Sequence, residues 1–230
     1  MNLLWLLVGR GGSKSVPGKN LRRIGGRTLV EYKLGGAIAA GAREIVVSSD
    51  SEEIRGVAMH YGASREIVRP MELASDEATT ASVVRHALET LGGEYDAVML
   101  LEPSAPFTLP ASYDTAIAMM QDADADLVVG MKYVEPHVAF VGERSDDTPH
   151  SVTGIIMQFQ RMARRRQDFR PCWSMAGNLY LFRTEMFLRT GDIYGGQRNY
   201  GLLQDKFHGH EIDTPHDLEL AEWYYEKGWV

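Results

Sequence analysis

The sequence predicts a three-layer α/β fold, in which helices cover both faces of a mostly parallel sheet. Short apolar runs of strand length alternate with segments whose apolar residues recur at helical spacing. This alternation is typical of β-α-β units, whose crossover helices lie against a parallel sheet. We predict a single domain over residues 1–230, because one α/β domain of this size buries a sufficient core.

Strands and helices are predicted in regular order as far as residue 131. The strands are expected at Leu3–Val8, Glu44–Ser48, Asp96–Leu101 and Asp126–Met131. The helices are expected at Thr28–Ala40, Glu52–Tyr61, Thr79–Leu91 and Ala111–Gln121. Asp50 or Ser51 is expected to cap the second helix, because short polar side chains accept hydrogen bonds from the first turn.

The rest of the chain is less regular. Residues 132–170 are polar, and five arginines lie within residues 161–170, so this segment is either an insertion that packs on a second subunit or a solvated loop. The elements predicted after it are strands at Gly177–Phe182 and His208–Ile212, a short helix near Glu185, and a closing helix at Pro215–Lys227.

Composition and charge disfavour several classes of protein. The net charge of −7 argues against a general nucleic-acid-binding surface. The apolar N-terminal run is too short for a signal peptide or a membrane span, so we expect a cytoplasmic protein that binds neither membranes nor nucleic acid. The single cysteine, Cys172, excludes an internal disulfide and a cysteine-based zinc cluster.

The loop after the first predicted strand has the composition of an anion-binding site. Residues 9–20 read GRGGSKSVPGKN, which combines glycines that expose backbone N–H groups with three basic side chains. The loop leaves its strand at the carboxyl end, where doubly wound sheets bind ligands. Asn20 after Gly18-Lys19 rules out a Walker A loop, and Lys14 rules out the dinucleotide fingerprint. The alternatives are a phosphate loop of another kind and a flexible basic turn.

Further motifs follow this loop in a fixed order. They are VSSDSEEI at 47–54, RPMELASDEATTASVVRHALE at 69–89, LLEPSAPF at 100–107, RRRQDFRP at 164–171 and HEIDTPHDLELAE at 210–222. Together with the loop at 9–20, they resemble the CMP-sialic acid synthetase family, the acylneuraminate and related nonulosonic acid cytidylyltransferases. The loop matches the pattern of that family at every fixed position, and the motifs span most of the chain.

The resemblance implies a Rossmann-like nucleotidyltransferase fold with a mostly parallel sheet, in which residues 132–170 form an inserted dimerisation segment. It implies a CTP-dependent nucleotidyltransferase that transfers CMP from CTP to a 2-keto-3-deoxy sugar acid and releases pyrophosphate. Mg²⁺ is the implied cofactor, and a homodimer is the implied assembly.

The resemblance also implies roles for individual residues. The implied catalytic residues are Arg10, Lys14 and Lys19, which would hold the triphosphate, and Asp213. The implied nucleotide-binding residues are Gly9, Gly11, Gly12, Ser13, Asn20, Arg69 and Thr80. The implied sugar-binding residues are Glu102, Arg165, Gln167, Arg170 and Tyr180. Asp213 and Glu211 are the implied Mg²⁺ ligands, and in a strand they would face the same side; the alternative is a strand end that caps the last helix.

Two departures from the family pattern lie on the acceptor side. Glu102 replaces a glutamine, and Ala176 takes the place of an asparagine within a segment that carries an insertion. A carboxylate at position 102 would join the metal site or bind a hydroxyl or amine of the sugar. It would also repel the carboxylate of the acceptor unless a cation lies between them. Sialic, legionaminic, pseudaminic and deaminated nonulosonic acids, and a 3-deoxy-octulosonate-like acid, therefore remain open as acceptors.

Two other functions are compatible with the sequence. A sugar-1-phosphate nucleotidyltransferase of the same fold would use the arginines of residues 164–170 to bind the phosphate of its acceptor. A non-catalytic homologue would bind a nucleotide without transferring it. The presence of Lys14, Lys19 and Asp213 favours an enzyme.

Overall fold

The computed structural model describes residues 1–134 and 170–230. The strands of its main sheet are β1 (Leu3–Val8), β4 (Ile45–Ser49), β5 (Arg65–Val68), β6 (Ala97–Leu101), β7 (Leu127–Tyr133), β8 (Trp173–Arg183) and β9 (Asn199–Leu203). A separate hairpin pairs β2 (Arg23–Ile24) with β3 (Arg27–Thr28). The helices are α1 (Leu29–Ala39), α2 (Glu52–Tyr61), α3 (Thr80–Leu91), α4 (Pro110–Asp122), α5 (Thr184–Thr190) and α6 (Pro215–Glu226). Two short 3₁₀ helices occupy Lys19–Leu21 and Met71–Ala74.

The seven strands are ordered β5-β4-β1-β6-β8-β7-β9. β1 is parallel to both β4 and β6, β4 is parallel to β5, and β7 is parallel to β9. β8 is antiparallel to its two neighbours, β6 and β7. The prediction of a mostly parallel sheet is confirmed, and the carboxyl ends of β1, β4 and β6 lie at one edge.

Both faces of the sheet are buried, which explains why β1 is apolar throughout. Trp5 and Leu7 pack into a core beneath α1, α2 and α4. Leu4 and Leu6 point to the other face and pack into a second core beneath α3 and α5. Each buried side chain of this size stabilises the fold by roughly 1.5–3 kcal/mol relative to an exposed one. Residues of α6 close a third, smaller cluster around Ile212.

The elements predicted up to residue 131 are confirmed within two residues at each end. The caps have the expected chemistry: Thr28 begins α1 with a reciprocal capping box, and the hydroxyl of Ser51 accepts a hydrogen bond from the backbone N–H of Ile54 at 3.3 Å. Thr214 and Asp217 form a second capping box at the start of α6, where Pro215 occupies the first turn. No helix within residues 1–134 and 170–230 is long and apolar enough to cross a membrane.

The predicted strand at His208–Ile212 is wrong. The carboxylate of Asp205 accepts hydrogen bonds from the backbone N–H groups of Phe207 and His208, and this turn competes with extended pairing. The strand of this region is instead β9, whose residues are mostly exposed and therefore lack the apolar pattern of a buried strand. β5 was missed for a similar reason, because Ile67 is its one buried residue.

β8 carries a bulge beside the predicted site. Val129 pairs with Tyr180 and Met131 pairs with Met175, so four residues of β8 lie opposite the single residue Gly130. Gly177 lies in this bulge with φ of 64°, and a Cβ there would lie 2.5 Å from the carboxylate of Glu211. Only glycine combines that backbone conformation with so close a neighbour.

The predicted insertion falls almost entirely on residues 135–169, which lie outside the described residues. Lys132 and Tyr133 belong to β7. The dimerisation segment and the single-domain organisation stay predictions.

Asp126 is expected to stabilise the edge of the sheet. Its carboxylate accepts hydrogen bonds at 3.0 Å from the backbone N–H groups of Gln197 and Arg198 and from the Arg198 guanidinium. These hydrogen bonds lower the pKa of Asp126 to about 2, and the bond from the Arg198 side chain has the largest effect. We expect Asp126→Asn to lower the free energy of unfolding by roughly 1–2 kcal/mol at pH 7.

The pH dependence of this effect has a definite sign. Because the folded-state pKa lies below the unfolded value of about 4, the contribution is present above that value and is lost as the pH falls towards 2. Urea unfolding at pH 7 and pH 3 measures the free energy of unfolding of wild type and of Asp126→Asn. The difference in this free energy between the two proteins should be smaller at pH 3. Equal stability at pH 7 would contradict the assignment.

Candidate functional site

A cleft of about 280 Å³ opens at the carboxyl ends of β1 and β6. The predicted site residues that line it are Gly9, Arg10, Lys19, Asn20, Arg69, Thr80 and Glu102. This is the position at which open α/β sheets bind ligands. A larger cleft of about 640 Å³ contains none of the predicted residues. Its main charged groups are already paired with one another, as in the contacts of Arg183 and Arg198 with Asp124.

The glycine-rich loop is held in shape by polar side chains from neighbouring elements. Asn20 donates a hydrogen bond to the carbonyl of Arg10 at 2.9 Å, and a Cβ on Gly9 would lie 3.2 Å from the Asn20 amide. The N–H of Gly11 donates to Asp50 at 2.9 Å. A Cβ on Gly12 would meet no heavy atom of the described residues within 4 Å, so this glycine lies open. Close packing therefore explains why residues 9 and 11 are glycine. Packing gives no such reason at Gly12, where the lack of a side chain leaves the backbone open to a ligand.

Asp76 pairs with two of the predicted triphosphate-binding cations. Arg10 Nη1 lies 2.7 Å from Asp76 Oδ1, and Lys14 Nζ contacts Asp76 Oδ2. Hydrogen bonds from Lys14 and Arg10 hold the pKa of Asp76 below its usual range. The carboxylate thus lies where the positive charges of the loop converge. The motif at 69–89 contains Asp76, but its pattern did not predict this role.

Arg69 is a buried cation that lines the cleft. Its guanidinium donates to the carbonyl of Ser48 at 2.6 Å and to the Ser48 hydroxyl at 3.3 Å. Burial lowers its pKa, and Asp50 opposes that shift. The end of β4 therefore holds Arg69 in place, and one edge of the side chain lines the cleft.

Lys19 connects the loop to the acidic segment before α6. Its ammonium lies 3.1 Å from Asp213 Oδ1. The N–H of Ile212 donates to the carbonyl of Ser104 at 2.8 Å, which fixes this segment against the end of β6. Asp213 does not cap α6, because that role belongs to Thr214.

The argument that Glu211 and Asp213 share one face of a strand is wrong, because no strand forms at these residues. Glu211 packs over Gly177, whereas the side chain of Asp213 is 64% exposed beside Lys19. Burial raises the pKa of Glu211, and the nearby negative charge of Asp213 raises it further.

Among the described residues, no three acidic, histidine or cysteine side chains form a metal site by themselves. Mg²⁺ commonly takes one or two protein carboxylates and completes its ligand set with phosphate oxygens and water. Two electrostatically coupled carboxylates beside a cationic loop fit a site that the triphosphate completes. The residues present are therefore compatible with the predicted cofactor.

Glu102 lies at the end of β6 and lines the cleft. Burial raises its pKa to about 7, and the positive charge of Lys33 opposes the shift. Tyr180, on the neighbouring strand β8, is nearly buried and packs edge-on against Tyr194 with ring centroids 6.3 Å apart. Of the two residues predicted to bind the sugar here, Glu102 lines the cleft, whereas Tyr180 is not among the residues that line it.

Lys33 is a component of this region that sequence reasoning missed. It is fully buried within α1, beneath the loop that follows Glu102. The available indication was its spacing, since Leu29, Lys33 and Ala37 share one helical face whose other members are apolar.

The structure does not bring all predicted residues to the cleft. Arg165 and Gln167 lie outside the described residues, and Arg170 is exposed. Ala176 is fully buried, so it packs within the fold. Ser13 lies in the loop but is not among the residues that line the cleft.

Comparison with known sequences decides the family. A family profile described as cytidylyltransferase matches residues 5–227. The chain belongs to the cytidylyltransferase family. The prediction of a CTP-dependent nucleotidyltransferase is thereby confirmed.

Named relatives of this cytidylyltransferase cover nearly its whole length. The CMP-N,N'-diacetyllegionaminic acid synthase of Legionella pneumophila is 28% identical over an aligned length of 226 residues, and the match covers 96% of this chain and 95% of that protein. The pseudaminic acid cytidylyltransferase of Campylobacter jejuni is 29% identical over an aligned length of 235 residues, and the match covers 98% of this chain and 97% of that protein. The resemblance to nonulosonic acid cytidylyltransferases is confirmed.

A solved structure confirms the fold of this cytidylyltransferase. It is a CMP:2-keto-3-deoxy-manno-octonic acid synthetase complexed with CTP, which superposes with a TM-score of 0.69 at 16% identity. The match covers 99% of this chain and 100% of the other. The prediction of a Rossmann-like nucleotidyltransferase fold is confirmed.

Proposed function

We propose that this cytidylyltransferase transfers CMP from CTP to the anomeric hydroxyl of a 2-keto-3-deoxy sugar acid of the nonulosonic class. One observation carries the proposal: Lys19 of the cationic loop lines the cleft and lies 3.1 Å from Asp213 in the acidic segment before α6. Phosphoryl transfer needs a cationic cradle and carboxylates that can hold a metal, placed next to each other. The names of the full-length relatives support the class of acceptor.

The nucleotide occupies the loop side of the cleft in this proposal. Arg10, Lys14 and Lys19 bind the triphosphate, while Gly12 leaves room for phosphate oxygens close to the backbone. Binding of the triphosphate displaces the Asp76 carboxylate from Arg10 and Lys14. The other nucleotide contacts are assigned to Asn20, Arg69 and Thr80, which line the same cleft.

The reaction exchanges one bond at the α-phosphorus of CTP. The anomeric oxygen of the acceptor forms a bond to that phosphorus and gives up its proton to solvent water. The bond from the α-phosphorus to the bridging oxygen of the β-phosphate breaks, which releases pyrophosphate. Lys19 and Arg10 stabilise the negative charge that develops on the leaving group. Asp213 and Glu211 would hold Mg²⁺, which neutralises the charge on the phosphates when it is bound.

The acceptor is assigned to the side of the cleft lined by Glu102, with Tyr180 nearby on β8. Arg165, Gln167 and Arg170 are proposed to contribute from the segment before β8, where arginine suits a carboxylate ligand. We further propose that the enzyme is a homodimer in the cytoplasm, with residues 132–170 at the subunit contact. The family resemblance supports the homodimer and the position of the subunit contact.

A pyrophosphate-release assay tests the proposal. The purified chain is incubated with CTP and Mg²⁺ against N-acetylneuraminate, legionaminic acid, pseudaminic acid and 3-deoxy-octulosonate, with ATP, GTP and UTP as controls. Release that requires CTP and one of these acids is expected, and EDTA should abolish it. Release with a sugar 1-phosphate, or with no acid at all, would overturn the proposal.

Removal of Asp76 is expected to improve binding of CTP. Because the carboxylate competes with the triphosphate for Arg10 and Lys14, we expect Asp76→Asn to lower the KM for CTP about two- to fivefold. The change is small because exposed ion pairs contribute little free energy. The difference should shrink at high salt, which screens these charges. Asp114→Asn, at an exposed position of α4, is the control. A higher KM in Asp76→Asn would show that Asp76 instead orients the cations for binding.

A further inference from the structure

Lys33 is a fully buried lysine whose three N–H donors are all used. Its ammonium donates to the carbonyl of Ala105 at 3.1 Å, to the hydroxyl of Thr108 at 2.8 Å and to the carbonyl of Asn178 at 2.5 Å. None of these groups is charged. An ammonium has three donors, so this cage satisfies the hydrogen bonding of the charged form without supplying a counter-charge.

The cage joins the two segments that form the acceptor side of the cleft. Ala105 and Thr108 belong to the loop that begins with Glu102. Asn178 lies in the bulge of β8, next to the glycine over which Glu211 packs. Lys33 therefore holds the loop, the bulge and α1 in one arrangement directly below the acceptor residues.

The counter-charge for Lys33 comes from the carboxylates of the site. Burial lowers the pKa of Lys33, and the negative charges of Glu102 and Glu211 raise it again. The same interaction favours the charged form of Glu102. No carboxylate among the described residues forms an ion pair within 4 Å of Lys33. Lys33 and Glu102 therefore interact through their charges without a direct contact.

Glu102 keeps its carboxylate available for a ligand. It lines the cleft, and no described side chain or backbone N–H donates a hydrogen bond to it. An ionised carboxylate can only accept hydrogen bonds, whereas a glutamine at the same place would both accept and donate. The matching group on a ligand is therefore a donor, either a hydroxyl or an ammonium.

We propose that Lys33 and Glu102 act together to determine acceptor specificity in this enzyme. Lys33 is a positioning residue that supplies the buried positive charge needed for a carboxylate at position 102. Glu102 then binds a hydroxyl or amino group of the sugar acid. The inference rests on the proposed function and adds to it the kind of group that the acceptor must present.

The experiment compares wild type, Lys33→Met, Glu102→Gln and the double variant, with Lys227→Met as a control at an exposed lysine. Thermal unfolding is measured for each protein. The kcat and KM are measured with CTP and with the preferred sugar acid. In the double variant, both Lys33 and Glu102 are replaced by neutral residues. It therefore distinguishes the effect of an unbalanced charge on Glu102 from a failure to fold without the Lys33 side chain.

Lys33→Met is expected to lower kcat/KM for the sugar acid at least tenfold, with the KM for CTP changed less than threefold. The double variant is expected to recover part of both the unfolding temperature and the kcat/KM lost in Lys33→Met. If the losses of kcat/KM and of unfolding temperature in Lys33→Met and Glu102→Gln were additive in the double variant, the coupling of the two residues would be refuted.

Analogues of the preferred acid test which group Glu102 binds. In each analogue, one hydroxyl or amino group is replaced by hydrogen. One analogue should lose at least tenfold in kcat/KM with wild type and less than threefold with the double variant. Equal losses in both proteins for every analogue would overturn the specificity role. Absence of turnover by wild type with all acids would instead refute the proposed function, and the unfolding data would still test the coupling.

Discussion

Replacing Asp213 with asparagine is expected to lower kcat by roughly 10²–10³-fold, the scale on which loss of one group that stabilises developing charge acts. Asp213 is exposed and lies 3.1 Å from Lys19, which lines the cleft, so its charge acts both on the proposed metal and on a lysine proposed to bind the triphosphate. Activity should also require a higher Mg²⁺ concentration. Steady-state kinetics across a Mg²⁺ titration measures both effects.

Two companion variants make this prediction specific. Glu219→Gln removes an exposed carboxylate from α6 and should leave kcat within twofold of wild type. Glu211→Gln removes the second proposed ligand, and a raised Mg²⁺ requirement in this variant would support a shared site. A kcat for Asp213→Asn within threefold of wild type, at unchanged Mg²⁺ dependence, would show that the metal binds elsewhere.

Lys19→Met is expected to have the second large effect, a fall of roughly 10²–10³-fold in kcat/KM for CTP. The ammonium is largely buried between the loop and the acidic segment, and its loss leaves Asp213 without this partner while removing a phosphate ligand. Both kcat and KM should change, because the proposed contact exists before and during the transfer. Kinetics with varied CTP measures the effect.

The control for Lys19→Met is Lys206→Met, which removes an exposed lysine that does not line the cleft. It should retain the kinetics of wild type. If Lys19→Met and Lys206→Met behaved alike, the loop would not bind the triphosphate, and the alternative of a flexible basic turn would be correct.

The fold was predictable because local and tertiary preferences agree in most of the chain. β1 and β6 are apolar on both faces, which only a covered sheet explains, and α1 and α2 begin at side chains that cap them. β9 and β5 escaped prediction because they are edge strands that bury little, so their pattern resembles that of a loop.

The nucleotide side of the site was largely predictable from motif spacing. A loop after the first strand must lie at the carboxyl edge of the sheet, and the structure places Arg10, Lys19 and Arg69 around one cleft there. Asp76 was not predictable as a partner of Arg10, because contacts across 66 residues depend on how the second motif folds back over the loop.

The acceptor side was less predictable because tertiary packing determines it. A strand was expected at His208–Ile212, but the turn at Asp205 and the bulge of β8 place the Glu211 carboxylate instead. Lys33 looked like an ordinary helical lysine, and only its complete burial relates it to Glu102. The sequence did indicate that a carboxylate at position 102 would repel the carboxylate of the acceptor unless a cation lies between them.

The most direct test of the proposed chemistry is ³¹P NMR of the complete reaction with CTP, Mg²⁺ and the preferred sugar acid. Transfer of CMP to an anomeric hydroxyl predicts one new phosphodiester resonance without coupling to a second phosphorus, together with pyrophosphate in equal amount. A pair of coupled resonances, formed from a sugar 1-phosphate, would show a diphosphate-linked product and contradict the proposed acceptor. An unchanged CTP spectrum with every acid would contradict catalysis itself.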